Sequence, residues 1–386
     1  MNYDKRKMGR LLTGSAVPLM FLTISIIAIP FSGFSPTFLV NQIITRLVRN
    51  SFLVLSLLLP IMAGMGINFG MILGAMAGQI GLIFITDWGI TGAPGLLLAA
   101  LIALPIAIGL GYFCGLVLNR AKGREMITSM MLGFFIAGIY QFFLLYMCGS
   151  IIPFKNVKML LSRGYGVRNA LSLDVARGFD NLLRIKIGDI TIPFGTIMII
   201  GLICINIIIP FGKIMIIGLI CIFTVWFRKT KLGQDMRAVG LDMSVSGTAG
   251  IAVDKTRIQS IVISTVLACF GQIIYLQNIG TLNTYNGADQ AAFFAAACLV
   301  VGGATVIKAS IPNAIFGTAL FHLMFIVMPM AGKNITGSAM IGEYFRMFIS
   351  YGVVTVALVL HSWKRHKDKE MDRLSFRLGM EKESAK

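Results

Sequence analysis

The chain carries sixteen acidic residues and three histidines, and where they stand limits the chemistry available to it. A proton- or sodium-coupled carrier keeps a carboxylate at membrane depth. Here Asp87, Asp289 and Glu343 stand at the ends of apolar runs, and the other acids fall in polar stretches and tails. His322 is the lone histidine inside an apolar run, which fits a neutral ring hydrogen-bonded within a bundle better than a proton relay. No HExxH, G-x-S-x-G or clustered Asp pattern occurs, so a hydrolase has no catalytic constellation to use. The G-x-x-x-x-G-K-[ST] loop that cradles ATP phosphates is missing as well. Any energy for transport must then arrive from another chain. The six cysteines (114, 148, 204, 221, 269, 298) stand singly, without C-x-x-C spacing for metal or redox work, and read as core filler.

What remains is a set of amides inside apolar runs: Asn68, Gln79, Gln141, Gln272 and Asn313. They are the candidates for lining a solute path. Each also fits a plain interhelical hydrogen bond, worth about 0.6 kcal/mol in a membrane.

The elements that must position these groups are membrane helices. The chain is 56% apolar and 13% charged, whereas soluble domains carry about 25% charged residues. Its net charge of +18 sits in short clusters at the ends of apolar runs, the positive-inside pattern, and so does not point to nucleic acid. Leu11 to Phe31 is the first span, long for a signal peptide and without its cleavage site. Phe34 to Asn50, with Arg46 and Arg49, reads as a lateral or partly inserted helix ahead of a second span over Ser51 to Met65. Gly66-Ile67-Asn68-Phe69-Gly70 breaks the chain before a third span ending near Ile85. Gly66, Gly70, Gly74 and Gly78 recur every four residues, a bare stripe on which another backbone can close.

Spans at about 95–118 and 126–148 flank a basic loop, Arg120, Lys122 and Arg124, expected to be cytoplasmic. The mixed segment 149–192 is external by parity. IPFGTIMIIGLICI at 192–205 returns at 209–222 with one difference in fourteen positions, a local duplication of which one copy, the second, is expected to cross. Further spans follow at 258–276, 290–307, 311–330 and 342–360. The expectation is an all-α bundle of about ten transmembrane helices with broken or re-entrant segments, over residues 1–363. A basic tail (364–386) ends it, and both termini are cytoplasmic.

Between these spans lies a polar stretch of thirty residues, Arg228 to Arg257. Asp242 stands just ahead of Met243-Ser244-Val245-Ser246, where its carboxylate can cap a short helix. Gly250 can stop that helix in the left-handed C′ conformation. Met243 and Val245 are apolar groups on this otherwise polar loop, which invites a protein partner.

Three stretches carry a resemblance. Thr230-Lys231-Leu232-Gly233, Arg237-Ala238-Val239-Gly240 and Gly250-Ile251-Ala252-Val253 are similar to the cytoplasmic coupling loop of the permease subunits of bacterial ABC importers for simple sugars, branched-chain amino acids and nucleosides. Gly66-Ile67-Asn68 resembles that family's break ahead of the third span, and Leu299-Val300-Val301-Gly302-Gly303 its V-V-L-G-G element. Glu125 to Leu132 resembles the nucleoside and simple-sugar branch. Asp242 and Val245-Ser246 depart from its usual Asn and paired alanines.

The resemblance implies a transport component and not an enzyme, in the cell membrane. Its partners would be ATPase subunits that hold ATP and Mg, a second permease subunit in a homo- or heterodimer, and an external solute-binding protein. Gly240, Asp242, Met243, Val245, Gly250 and Ile251 would form the contact with the ATPase. A self-sufficient facilitator or channel is the competing class.

Overall fold

The computed structural model describes residues 2–173, 184–187, 190–193, 225–305, 309–338, 340–344, 347–348 and 352. The duplicated run beyond Pro193, most of the expected span at 342–360 and the basic tail lie outside these residues. The described chain is built on eleven helices: α1 (Asn2–Ser32), α2 (Pro36–Ser56), α3 (Leu58–Met62), α4 (Met71–Trp88), α5 (Gly92–Arg120), α6 (Glu125–Phe142), α7 (Lys231–Leu241), α8 (Met243–Thr248), α9 (Val253–Ile279), α10 (Gly287–Val301) and α11 (Ile311–Thr336). Among the described residues, six stretches are long and apolar enough to cross a membrane. The chain is a multi-pass helical membrane protein.

Four departures from expectation have physical reasons. The helix Phe34–Asn50 does not lie apart from the second span, because nothing separates them. Ser35 caps α2 by accepting from Phe38 N (3.3 Å), and the helix runs unbroken to Ser56. The Asn50 amide donates to the Arg46 carbonyl (2.7 Å) and the Ser51 hydroxyl to Leu47, so these polar residues are spent within the helix. Arg46 and Arg49 therefore stand within a candidate span, Pro36–Met62, and the Arg49 guanidinium lies 5.3 Å over the Tyr275 ring.

The second departure is α10. It stops at Val301, and its 15 residues rise only about 22 Å, short of the ~30 Å of hydrocarbon. Third, the stretch 228–257 is mostly helical, with α7, α8 and the start of α9. Fourth, the chain is not wholly α. β1 (Ala170–Ser172) pairs antiparallel with β4 (Thr281–Asn283), and β2 (Arg184–Ile187) with β3 (Ile190–Pro193).

At the centre, α9 packs chiefly on α4 and α5, and next on α2. Bare backbone permits the approach. A Cβ at Gly74 would lie 2.1 Å from the Thr265 carbonyl, and one at Gly78 2.7 Å from that of Cys269. Gly70 faces α5 instead, where a Cβ would meet Cys114 Sγ at 2.6 Å. Gly66 is outside this helical stripe. It bends the break between α3 and α4 at φ +71°, an angle that costs glycine little. Nearly all of α4 is buried and most of α6 is not, so α4 is interior and α6 rides on the bundle's flank.

Candidate functional site

The interior amides do not form one line. Gln79 and Gln141 both reach the turn at 283–285, which is tied to the 149–173 segment. The Tyr140 hydroxyl donates to Gln79 Oε1 (3.0 Å), and Gln79 Nε2 to the Asn283 carbonyl (3.4 Å). Beside them Gln141 Nε2 donates to the Tyr285 carbonyl (3.3 Å).

Local structure fixes these groups. Gly280, at φ +78°, ends α9 and turns the chain back towards the bundle. The returning turn, 280–286, is tied to the segment above by the β1–β4 pairing. Thr284 Oγ1 donates to the Arg168 carbonyl (2.8 Å) and the Tyr285 hydroxyl to that of Val167 (2.7 Å). Burial pushes the Tyr285 phenol up, so it remains a neutral donor. On the other side, α6 ends in a π-helical turn, Phe143–Met147, and Val167 N donates to the Leu144 carbonyl (3.0 Å). Such turns recur at functional sites.

Gln272 lies against Gly78, its Cβ 3.3 Å from where a Gly78 Cβ would stand. It is 0% exposed, and neither amide atom has a partner. Asp289 adds a buried Oδ1 without a partner, one turn into α10. Asn68 and Asn313 lie elsewhere. Asn68 Oδ1 accepts from Gly70 N (2.8 Å) and holds the break ahead of α4; Asn313 Nδ2 donates to the Gly302 carbonyl (2.7 Å) and holds the turn after α10. Sequence reasoning missed Tyr140, Asn283 and Tyr285, and placed Asp289 only at the end of an apolar run. Tyr140 precedes Gln141 in an otherwise apolar run, and that adjacency was the available signal.

The opposite end holds the 228–257 stretch. Lys122 bonds Asp254 (2.7 Å), which joins the two basic loops on one face. Thr230 caps α7 through Gly233 N (3.3 Å). Asp242 Oδ1 accepts from Ser244 N (2.8 Å) and Val245 N (3.1 Å), which caps α8. At its far end Ile251 N bonds the Ser246 carbonyl (3.0 Å) and Gly250 N that of Gly247 (3.1 Å), with Gly250 at φ +84°. That pair of bonds is a Schellman motif, so both ends of this short helix are fixed.

Gly240 touches the break before α4. A Cβ on it would lie 2.1 Å from the Met62 carbonyl, and one on Gly64 2.9 Å from Gly240 Cα. Val245 is 63% exposed and Leu241, which the sequence reading passed over, 84%. Met243 is a correction, because it is half-buried with its Sδ 2.9 Å from Arg257 Nη1. Arg257 itself is 0% exposed and bonds Glu125 Oε1 at 2.6 Å; it is not part of a solvated loop.

Residues 39–358 match the family described as branched-chain amino acid transport system, permease component. The chain belongs to that permease family. The permease is also 25% identical, over 302 residues, to the nucleoside ABC transporter permease protein NupB of Lactococcus lactis subsp. cremoris (strain MG1363). That alignment covers 76% of the permease and 70% of the relative. No solved structure matches it.

Proposed function

We propose that the permease is the membrane subunit of an ATP-driven importer for a small polar solute of the simple-sugar or nucleoside class. An external binding protein delivers the solute, and a separate ATPase supplies the energy through the 228–257 stretch. The reading rests on one observation: α8 is capped at both ends, and Leu241 and Val245 stand exposed beside it. Exposed apolar groups on a rigid corner are costly unless a partner covers them. The face they occupy also carries the basic residues 120–124, so it is assigned to the cytoplasm, with both termini on the same side.

The cluster of Gln79, Tyr140, Asn283, Gln141 and Tyr285 supports a polar solute, since it offers hydroxyl, amide and carbonyl groups without a fixed charge. A pair of such subunits, alike or different, encloses the path, and closure of the ATPases shifts the helices as rigid bodies. The test is reconstitution. Uptake into proteoliposomes that requires the ATPase, ATP and the loaded binding protein is expected. Flux through the permease alone would establish the facilitator instead.

A further inference from the structure

α6 is held to its bundle in an unusual way. Its fully buried positions, Glu125, Ser129, Gly133, Ala137 and Tyr140, make one narrow stripe without a large aliphatic side chain, and the aliphatic groups beside it, Met126, Met130, Leu132 and Ile136, pack on the core only partly buried. The ties along that stripe are polar. Phe69 N donates to Ser129 Oγ (3.1 Å), Tyr140 meets Gln79, Gln141 meets Tyr285, and Glu125 meets Arg257. Hydrogen bonds within membranes average about 0.6 kcal/mol each, so such ties can be exchanged where a packed aliphatic seam cannot.

The Glu125–Arg257 tie differs in kind. Both groups are buried, and a buried pair carries a desolvation cost that well-packed apolar residues would avoid. It is also under-satisfied. Nη2 bonds Glu125 Oε1 (2.6 Å), Nη1 rests on Met243 Sδ (2.9 Å), and Nε has no partner. A thioether is a weak acceptor, so the guanidinium gives up that contact at little cost. One guanidinium thus touches the first residue of α8, belongs to α9, and grips the first residue of α6.

α6 also carries an aromatic group, Phe134, 45% exposed, that leans on a ring of α10. Phe134 stands 6.4 Å from Phe293 of α10, and Phe293 stands 5.5 Å from Phe69. Phe134 lies seven residues before Gln141, about 10 Å along the helix towards the α8 end.

We propose that the Glu125–Arg257 pair, seated on Met243, is the joint that carries movement of α8 into α6, and that the swing of α6 parts Phe134 from Phe293. This rests on the reading of α8 as the ATPase contact. Glu125 and Arg257 are positioning residues; they touch no solute.

The experiment uses the reconstituted complex of permease, ATPase and binding protein. Spin labels at Ile127 on α6 and Phe316 on α11, both exposed, report distance with and without trapped ATP. In the otherwise native permease the distance changes with nucleotide. In Glu125→Gln/Arg257→Met, which leaves no unpaired charge, that change is lost, and solute moved per ATP falls about tenfold. A purely structural role would lower the amount of complex and leave that ratio alone. Met243→Ala keeps the ion pair and is expected to lose part of the distance change. The proposal is overturned if the double variant keeps the native ratio and distance change, or if Met243→Ala keeps both when the double variant does not assemble. No distance change in the native complex would instead remove the ATPase-contact reading, and this inference with it.

Discussion

Asp242 satisfies two amide donors with one oxygen at the start of a six-residue helix, too short to hold itself together in water. Asp242→Ala should cost that helix about 0.5 to 2 kcal/mol. The complex is expected to assemble, and stimulation of ATP hydrolysis by the loaded binding protein to weaken; steady-state hydrolysis with and without that protein measures it. Val245→Asp goes further. It puts a charge on the exposed apolar corner and should abolish co-purification of the ATPase, while wild-type recovery would remove the corner from the interface. Asp242 and Gly250 were legible in the sequence because caps and stops are local: the partner is two to five residues away. Arg257 was not. It follows a run of basic and polar residues, and its partner is 132 positions distant, so nothing nearby distinguishes a buried guanidinium from a solvated one.

Among the elements, two helical glycines make a clear contrast. Gly74 would bring a Cβ to 2.1 Å from a backbone carbonyl of α9, and Gly138 on α6 has nothing within 4 Å. Gly74→Leu should therefore force α4 and α9 apart and abolish recovery of assembled protein, because backbone cannot yield as a side chain can. Gly138→Ala should be tolerated and gain up to about 1 kcal/mol of helix propensity. Yield and monodispersity after detergent extraction separate the two, and equal recovery would refute the packing argument. The sequence exposed the glycine spacing but not its limits. Period four put Gly66 in register with the others, and only the positive φ of the break takes it out. In the same way hydropathy could not show that Arg46 and Arg49 belong to a continuous helix, since two arginines lower the average of a window without ending its hydrogen bonds. Nor could it reveal where α10 stops.

For the whole molecule, the contacts sort the loops into two faces. Lys122 with Asp254 and Gly64 with Gly240 mark one face, and Asp87 with Asn156 N (2.9 Å) marks the other. The alternation of charge in the sequence supplied the same sorting for 120–124 and 228–257. In a variant without native cysteines, a cysteine at Val157 should react with an impermeant maleimide on intact cells and one at Lys229 should not. Labelling at Lys229 from outside would invert the topology and remove the proposed ATPase contact.

The pairing of β1 with β4 also sets an order of manufacture. The short α10 is too brief to cross the membrane, and strand β4 just ahead of it has backbone groups that need a partner strand. Strand β1, which does satisfy them, is synthesised more than one hundred residues earlier. The segment can therefore leave the insertion machinery only into a bundle already assembled around it. A fusion carrying residues 277–305 alone should fail to integrate, and one preceded by the whole upstream chain should succeed. Lesions in the segment around Ala170–Ser172 would then surface during biogenesis, as degraded nascent chains, before any effect on solute uptake.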